Sequence, residues 1–208
     1  MGYDGSEGLG GGGVSTKALI DLVRNAERSI VIQTPYLITT ELGQGLFSDA
    51  VDRGVEVRIL TNSLASTDNV EAFSAYQSSR QDLLDAGVRI YEFRPDAAVR
   101  KAVMTGELQQ TLDQTPIFGL HAKSMVVDDS ITVIGTFNLD PRSANLNTEC
   151  VTIIHSDAIA ASVREGMEIE FLPENAWEIS SEFNPDSEVS KWKRLKTFSR
   201  KVLPVGIL

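Results

Sequence analysis

GLHAKSMVVDDSITVIGTFNLDPRSANLNTE, residues 119–149, holds nearly every polar side chain that could act together on a reacting group. His121, Lys123 and Asp128 stand in it as H-x-K-x4-D, and Gly135, Thr136 and Asn138 follow after six residues as G-T-x-N. If both pieces are strands, side-chain alternation puts His121 and Lys123 on one face and Ala122, Ser124 and Val126 on the other. Residues 131–138 give Thr136 and Asn138 a common face in the same way. Asp129 and Ser130 are turn formers, so a tight hairpin is expected between the strands. An imidazole, an ammonium, a hydroxyl and a carboxamide then converge, a set suited to a phosphodiester: His121 as nucleophile or proton donor, the others stabilising phosphoryl oxygens. A catalytic imidazole needs an acceptor to fix its tautomer, and Glu149, opening another β-rich run, is the candidate. Asp128 lies an odd number of residues from His121, which predicts a salt-bridge or turn role on the opposite face.

Working outward, strand and helix signals alternate. A helix begins near Ser15, with Ser15 or Thr16 as N-cap and Leu19, Leu22, Val23 and Ala26 on one face. A strand over 30–38 follows, then a helix over 43–53 stopped by Gly54, a strand over 55–60, a helix over 70–86 stopped by Gly87, and a strand over 88–93. The alternation predicts an α/β fold, a three-layer α/β/α sandwich with a mixed, mostly parallel sheet. Ligands collect beyond the carboxyl ends of strands in such sheets, which draws in Tyr36 and residues 61–68. Arg142 and Ser143 either contact phosphate or belong to a turn or helix start set by Asp140-Pro141. Residues 94–118 read as a variable loop or helical insertion, 150–154 as a strand with Cys150 in the core, and 158–171 as an amphipathic helix. His155, the only other histidine, reads as a surface residue.

The 208 residues suffice for one α/β domain. Its expected span is 15–172, after a flexible Gly-rich lead-in at 1–14 and before an extension at 173–208. No apolar run approaches a bilayer-spanning length, and no signal-peptide pattern opens the sequence. Net charge is −10, yet residues 191–208 carry six cations and no acid, which leaves −16 on the first 190 residues. So acidic a body argues against extended nucleic-acid binding. In the tail, Trp192, Leu195, Phe198 and Val202 recur at helical spacing among the cations, which predicts a basic amphipathic helix for an anionic membrane surface; packing on the chain's own acidic domain is the alternative.

The string H-x-K-x4-D-x6-G-T-x-N with an acid downstream resembles the HKD motif of the phospholipase D superfamily, Thr136 standing where that family more often has Ser. With PYL before a helix, RGVEVRILTNSLASTD and GTFNLDPRSANLNTE, the sequence looks like the C-terminal half of bacterial cardiolipin synthases, particularly the shorter class without transmembrane helices. The resemblance implies phosphatidyl transfer: one His attacks the lipid phosphorus to form a phosphohistidine, a second protonates the leaving alcohol, and an acceptor alcohol completes the exchange. It places Glu149 as the carboxylate holding the His and calls for no metal or other cofactor. Two motifs are required, so an N-terminal phospholipase D-like half or a homodimer mate is the expected partner, with a phospholipid as substrate and a cytoplasmic, membrane-peripheral location. His121 is then either nucleophile or acid/base. A phosphodiesterase or nuclease would use the same residues, and a non-catalytic lipid-binding module is the third possibility.

Overall fold

A computed structural model of the chain describes residues 13–100, 119–145 and 149–200. Expectations for 1–12, 101–118 and 201–208 fall outside them. Strand β1 (Ser29–Gln33) is buried at every position, β2 (Glu56–Asn62) at all but its first, and β3 (Arg89–Phe93) likewise. Such runs need cover on both faces, the condition of central parallel strands. β1, β2 and β3 are parallel neighbours, joined by helices α2 (Glu41–Asp52) and α3 (Val70–Asp85). Thr40 caps α2 by accepting from the Gly43 amide, and Gly54 and Gly87, both at φ 86°, end the two helices in the left-handed conformation that glycine adopts freely.

After β3 the topology changes. β4 (Ser124–Val127), β5 (Ile131–Gly135) and β6 (Val151–His155) form an antiparallel meander against β1, and β7 (Ala176–Glu178) pairs antiparallel with β3. The seven-stranded order is β6-β5-β4-β1-β2-β3-β7. The sheet is mixed, as expected, but not mostly parallel: among the described strands two pairings are parallel and four antiparallel. The turn at 128–130 joins β4 to β5 too tightly for a parallel pair, whereas β6 follows a longer connection, 136–150, that includes the short helix Pro141–Asn145. β7 lies beyond residue 172, so the segment assigned to an extension contributes an edge strand to the sheet.

One sheet face packs Ile32, Ile59, Ile90, Met125 and Val133 against α1 (Val14–Asn25), α2 and α3. The other packs Val31, Leu60, Tyr91 and Val126 against Met167 and Phe171 of α5 (Asp157–Phe171). Helix α6 (Lys191–Arg200) lies on α3, where the Ser74 hydroxyl donates to Thr197 O at 3.0 Å. Its docked side leaves Trp192 81% and Leu195 58% exposed. Two local expectations are corrected. α1 is capped by Gly13 without a side-chain bond, because the Ser15 and Thr16 hydroxyls donate across the fold to Glu149 O and Ala144 O. Cys150 is exposed because it precedes β6, the edge strand, rather than lying in the core.

Candidate active site

β4 and β6 run opposite to β1, so their first residues and the last residue of β5 lie at the carboxyl edge of β1 and β2. The motif is assembled there. Lys123 O accepts from Gly135 N at 3.1 Å, and Thr136 N donates to Cys150 O at 2.9 Å, which ties the three segments side by side. The strand ladders are shorter than predicted: β4 opens at Ser124, one residue after Lys123, and β5 closes at Gly135, one residue before Thr136. The predicted alternation nonetheless persists, with Met125 on the α1–α3 side and Ala122 and Val126 on the α5 side.

His121 is exposed, and its Nε2 lies 3.4 Å from Lys123 Nζ, which also donates to His121 O at 3.1 Å. Burial lowers the Lys123 pKa, while Glu149, Asp140 and Asp68 pull it upward. The hydrogen bond expected between Glu149 and His121 is not among those of the described residues. Instead Glu149 Oε2 accepts from the Thr136 hydroxyl at 2.5 Å, and Thr136 Oγ1 accepts from Cys150 N at 3.1 Å. Asn138 donates its backbone N–H to Ser143 Oγ at 3.2 Å, and its buried Oδ1 has no hydrogen-bond partner among the described residues. A buried open acceptor carries a desolvation cost and is a frequent mark of functional positions.

Ser143 is 3% exposed and receives the Asn138 amide while its own amide donates to Asp140 Oδ1 at 2.7 Å, so it holds the G-T-x-N loop. Burial pushes the Asp140 carboxyl up, against the Ser143 bonds that favour its charged form. Arg142 is exposed on the short helix α4 (Pro141–Asn145). Tyr36 donates its hydroxyl to Asp68 Oδ1 at 3.1 Å, and burial followed by Asp68 raises its pKa.

Asp128 stands at the opposite end of β4. It and Asp129 are the left-handed pair of the hairpin, at φ 53° and 55°, which shifts the turn one residue ahead of the predicted Asp129-Ser130. Its carboxylate accepts the backbone amides of Glu27, Arg28 and Ser29 at distances down to 2.7 Å. Burial opposes its charge, but those amides prevail and hold its pKa below the usual range. Gly135 is required by close approach: a Cβ there would lie 2.2 Å from Cys150 O. No group of three or more His, Cys, Asp or Glu among the described residues is gathered so as to hold a metal ion.

Residues 19–169 match the family described as cardiolipin synthase, PLD-like domain. The chain belongs to this phospholipase D-like family. Cardiolipin synthase C of Escherichia coli is 30% identical over 90% of the chain and 42% of that enzyme. The chain spans less than half the length of the curated relatives it matches. The phosphatidylserine synthase structure from Haemophilus influenzae covers 97% of the chain at TM-score 0.67 and 17% identity, the chain matching 46% of it. Nuc of Salmonella typhimurium, a phospholipase D family member, covers 83% at TM-score 0.58 and 18% identity, nearly its whole length at 97%. At those identities the two structures establish the fold. No helix among the described residues is long and apolar enough to cross a membrane.

One residue of this PLD-like domain was drawn in by the sequence only as part of 61–68, without a role of its own. Asn62, 3% exposed at the end of β2, accepts from Leu120 N at 2.8 Å through Oδ1 and donates to Leu120 O at 2.9 Å through Nδ2. It pairs with that backbone as a neighbouring strand would and fixes the residue before His121. Ser66 supports it by donating to Asn62 Oδ1 at 3.2 Å and to Phe93 O at 2.9 Å. The sequence signal was present in TNSLASTD, but those residue types suit ordinary loops equally well.

Proposed function

We propose that this chain supplies one of the two phosphoryl-handling motifs of a cardiolipin synthase-like phosphatidyltransferase, working through a phosphohistidine. The observation that carries the proposal is the gathering of His121, Lys123, Thr136, Asn138 and Glu149 from separate segments at the carboxyl edge of β1 and β2. Lys123 beside the imidazole supplies positive charge for a phosphoryl group, and the Asn138 carboxamide and Thr136 hydroxyl add polar contacts. Glu149 acts on the site through Thr136 and through the charge of Lys123.

One copy lacks a second imidazole at this edge. The other histidine, His155, pairs with Ile131 at the far end of β5, roughly 13 Å along the sheet from Gly135. The partner is therefore an N-terminal phospholipase D-like half or a second copy of this chain. Nuclease action ranks second, because the −16 net charge of the first 190 residues opposes a polyanion. A peripheral membrane location is proposed through α6, whose outward Trp192 and Leu195 are flanked by the exposed cations Lys191 and Arg194.

The test is cardiolipin formation from phosphatidylglycerol vesicles, measured against protein concentration with His121→Ala as control. Activity that rises with concentration, saturates and vanishes in the variant supports a two-copy site. Activity only after addition of an N-terminal phospholipase D-like half supports the half-site. Activity retained by His121→Ala in the assembled enzyme would refute the assignment.

A further inference from the structure

Between α1, α2 and the sheet lies an open cavity of about 160 Å³, lined almost wholly by apolar groups including Leu19, Leu46, Phe47, Met125 and Val133. Its boundary includes residues of the motif itself: Lys123 and Gly135 line it, and Lys123 is the one cation among its lining residues. Leu42, also lining it, is 42% exposed. Because the cavity opens to solvent, an alkyl group that enters it removes this apolar wall from water, a favourable transfer.

We propose that this cavity receives the first part of one acyl chain of the phospholipid whose phosphodiester sits at His121 and Lys123. The proposal rests on the reading of the motif as a phosphodiester site and adds a chain-binding subsite to it. Volume favours an alkyl occupant: a cavity of about 150 Å³ holds a six-carbon molecule such as benzene, whereas an amphipathic helix needs a far wider groove. Position favours one covalently linked to a phosphate, because the wall that contacts the chain also carries the ammonium beside the imidazole. The lowered pKa of Lys123 through burial agrees with its stem lying against this apolar space. Residues 1–14 contain only Met1, Tyr3, Leu9 and Val14 as sizeable apolar side chains among seven glycines, which makes them a poor plug.

The test measures binding of inorganic phosphate and of n-alkyl phosphates from one to ten carbons to the full chain by calorimetry, with n-alkanols alongside. Affinity is expected to rise about four-fold per methylene and to level off near about six carbons. Gly43→Leu fills the cavity from α2: its Cβ would meet Thr40 Oγ1 at 3.7 Å, an ordinary contact, and the exchange favours helix. It should flatten the series, as should Leu46→Trp, which keeps the test decisive if one variant fails to fold. Phosphate binding without chain-length dependence would overturn the subsite and leave the phosphodiester reading standing. Alkanols that show the dependence while inorganic phosphate neither binds nor competes would overturn the phosphodiester reading and hence the chain's owner. A dependence that disappears as protein concentration rises would identify a second copy as the occupant and overturn the proposal.

Discussion

Asn62→Ala is the sharpest probe of how the site is held. The carboxamide makes four hydrogen bonds of 3.3 Å or less: Oδ1 accepts from Leu120 N and Ser66 Oγ, and Nδ2 donates to Leu120 O and Pro35 O. Leu120 is 6% exposed, so truncation leaves its N–H and C=O short of partners. Each such buried group costs about 1–3 kcal/mol. Water entering the vacated space recovers part of that, which gives an expected net loss of about 2–4 kcal/mol, a large share of the roughly 5–15 kcal/mol that stabilises a domain. Urea unfolding measures the loss, and hydrogen exchange of the Leu120 amide shows where it falls: protected in the wild type, fast in the variant while β2 and β3 amides stay slow. Phosphate affinity should drop too, because His121 follows directly. A loss below about 1 kcal/mol with Leu120 still protected would refute the clamp.

Gly135→Ala must move β5 from residues 150–151, since the new Cβ would meet Cys150 O at 2.2 Å and Val151 Cα at 2.9 Å. A cost of about 1–3 kcal/mol, read as a fall in Tm of about 4–10 °C, is expected, and an unchanged Tm would contradict it. Burial pushes the Glu92 carboxyl up to about 7, overcoming Arg80 at 2.9 Å and the Tyr76 hydroxyl, with Asp186 adding to the rise. Its folded value exceeds the ordinary 4.5, so the folded chain retains a proton that the unfolded chain gives up. This contribution is complete below about pH 4.5 and is lost as pH rises through about 7; urea midpoints should fall across that window, less steeply in Glu92→Gln, and equal slopes would count against it. Burial also lifts Glu170 to about 6, within the same window. Deleting residues 191–208 should reduce co-sedimentation with anionic vesicles, most at low salt; identical sedimentation would remove α6 as the membrane contact.

Local periodicity made most elements legible. Helix stops at Gly54 and Gly87 and the central strands fell where chain chemistry alone predicts them. Past β3 the hairpin of β4 and β5 was legible from its turn formers, one residue out of place at Asp128-Asp129, but the antiparallel pairings of β4 with β1 and of β6 with β5 were not, because a short β-run carries no mark of a distant neighbour's polarity. β7 was hidden for a related reason: three residues pair with Tyr91, Glu92 and Phe93, far away in sequence. The motif residues stood out because their types and spacing are improbable together. The Asn62 clamp, the diversion of Ser15 and Thr16 to the motif loops, and the cavity under α1 and α2 all arise from contacts across long sequence separations.

Asp128 bonds the turn below β4 to the start of β1, and Asn62 bonds the segment above β4 to the end of β2. The strand is thus pinned at both ends, against two different neighbours. A strand slipped by a single residue would turn every side chain over. His121 and Lys123 would then face α5, and Ala122 and Ser124 would take their places at the site. The third letter of the motif, at the far end of β4 from His121 and Lys123, acts as an index mark: it sets which way the first two letters face.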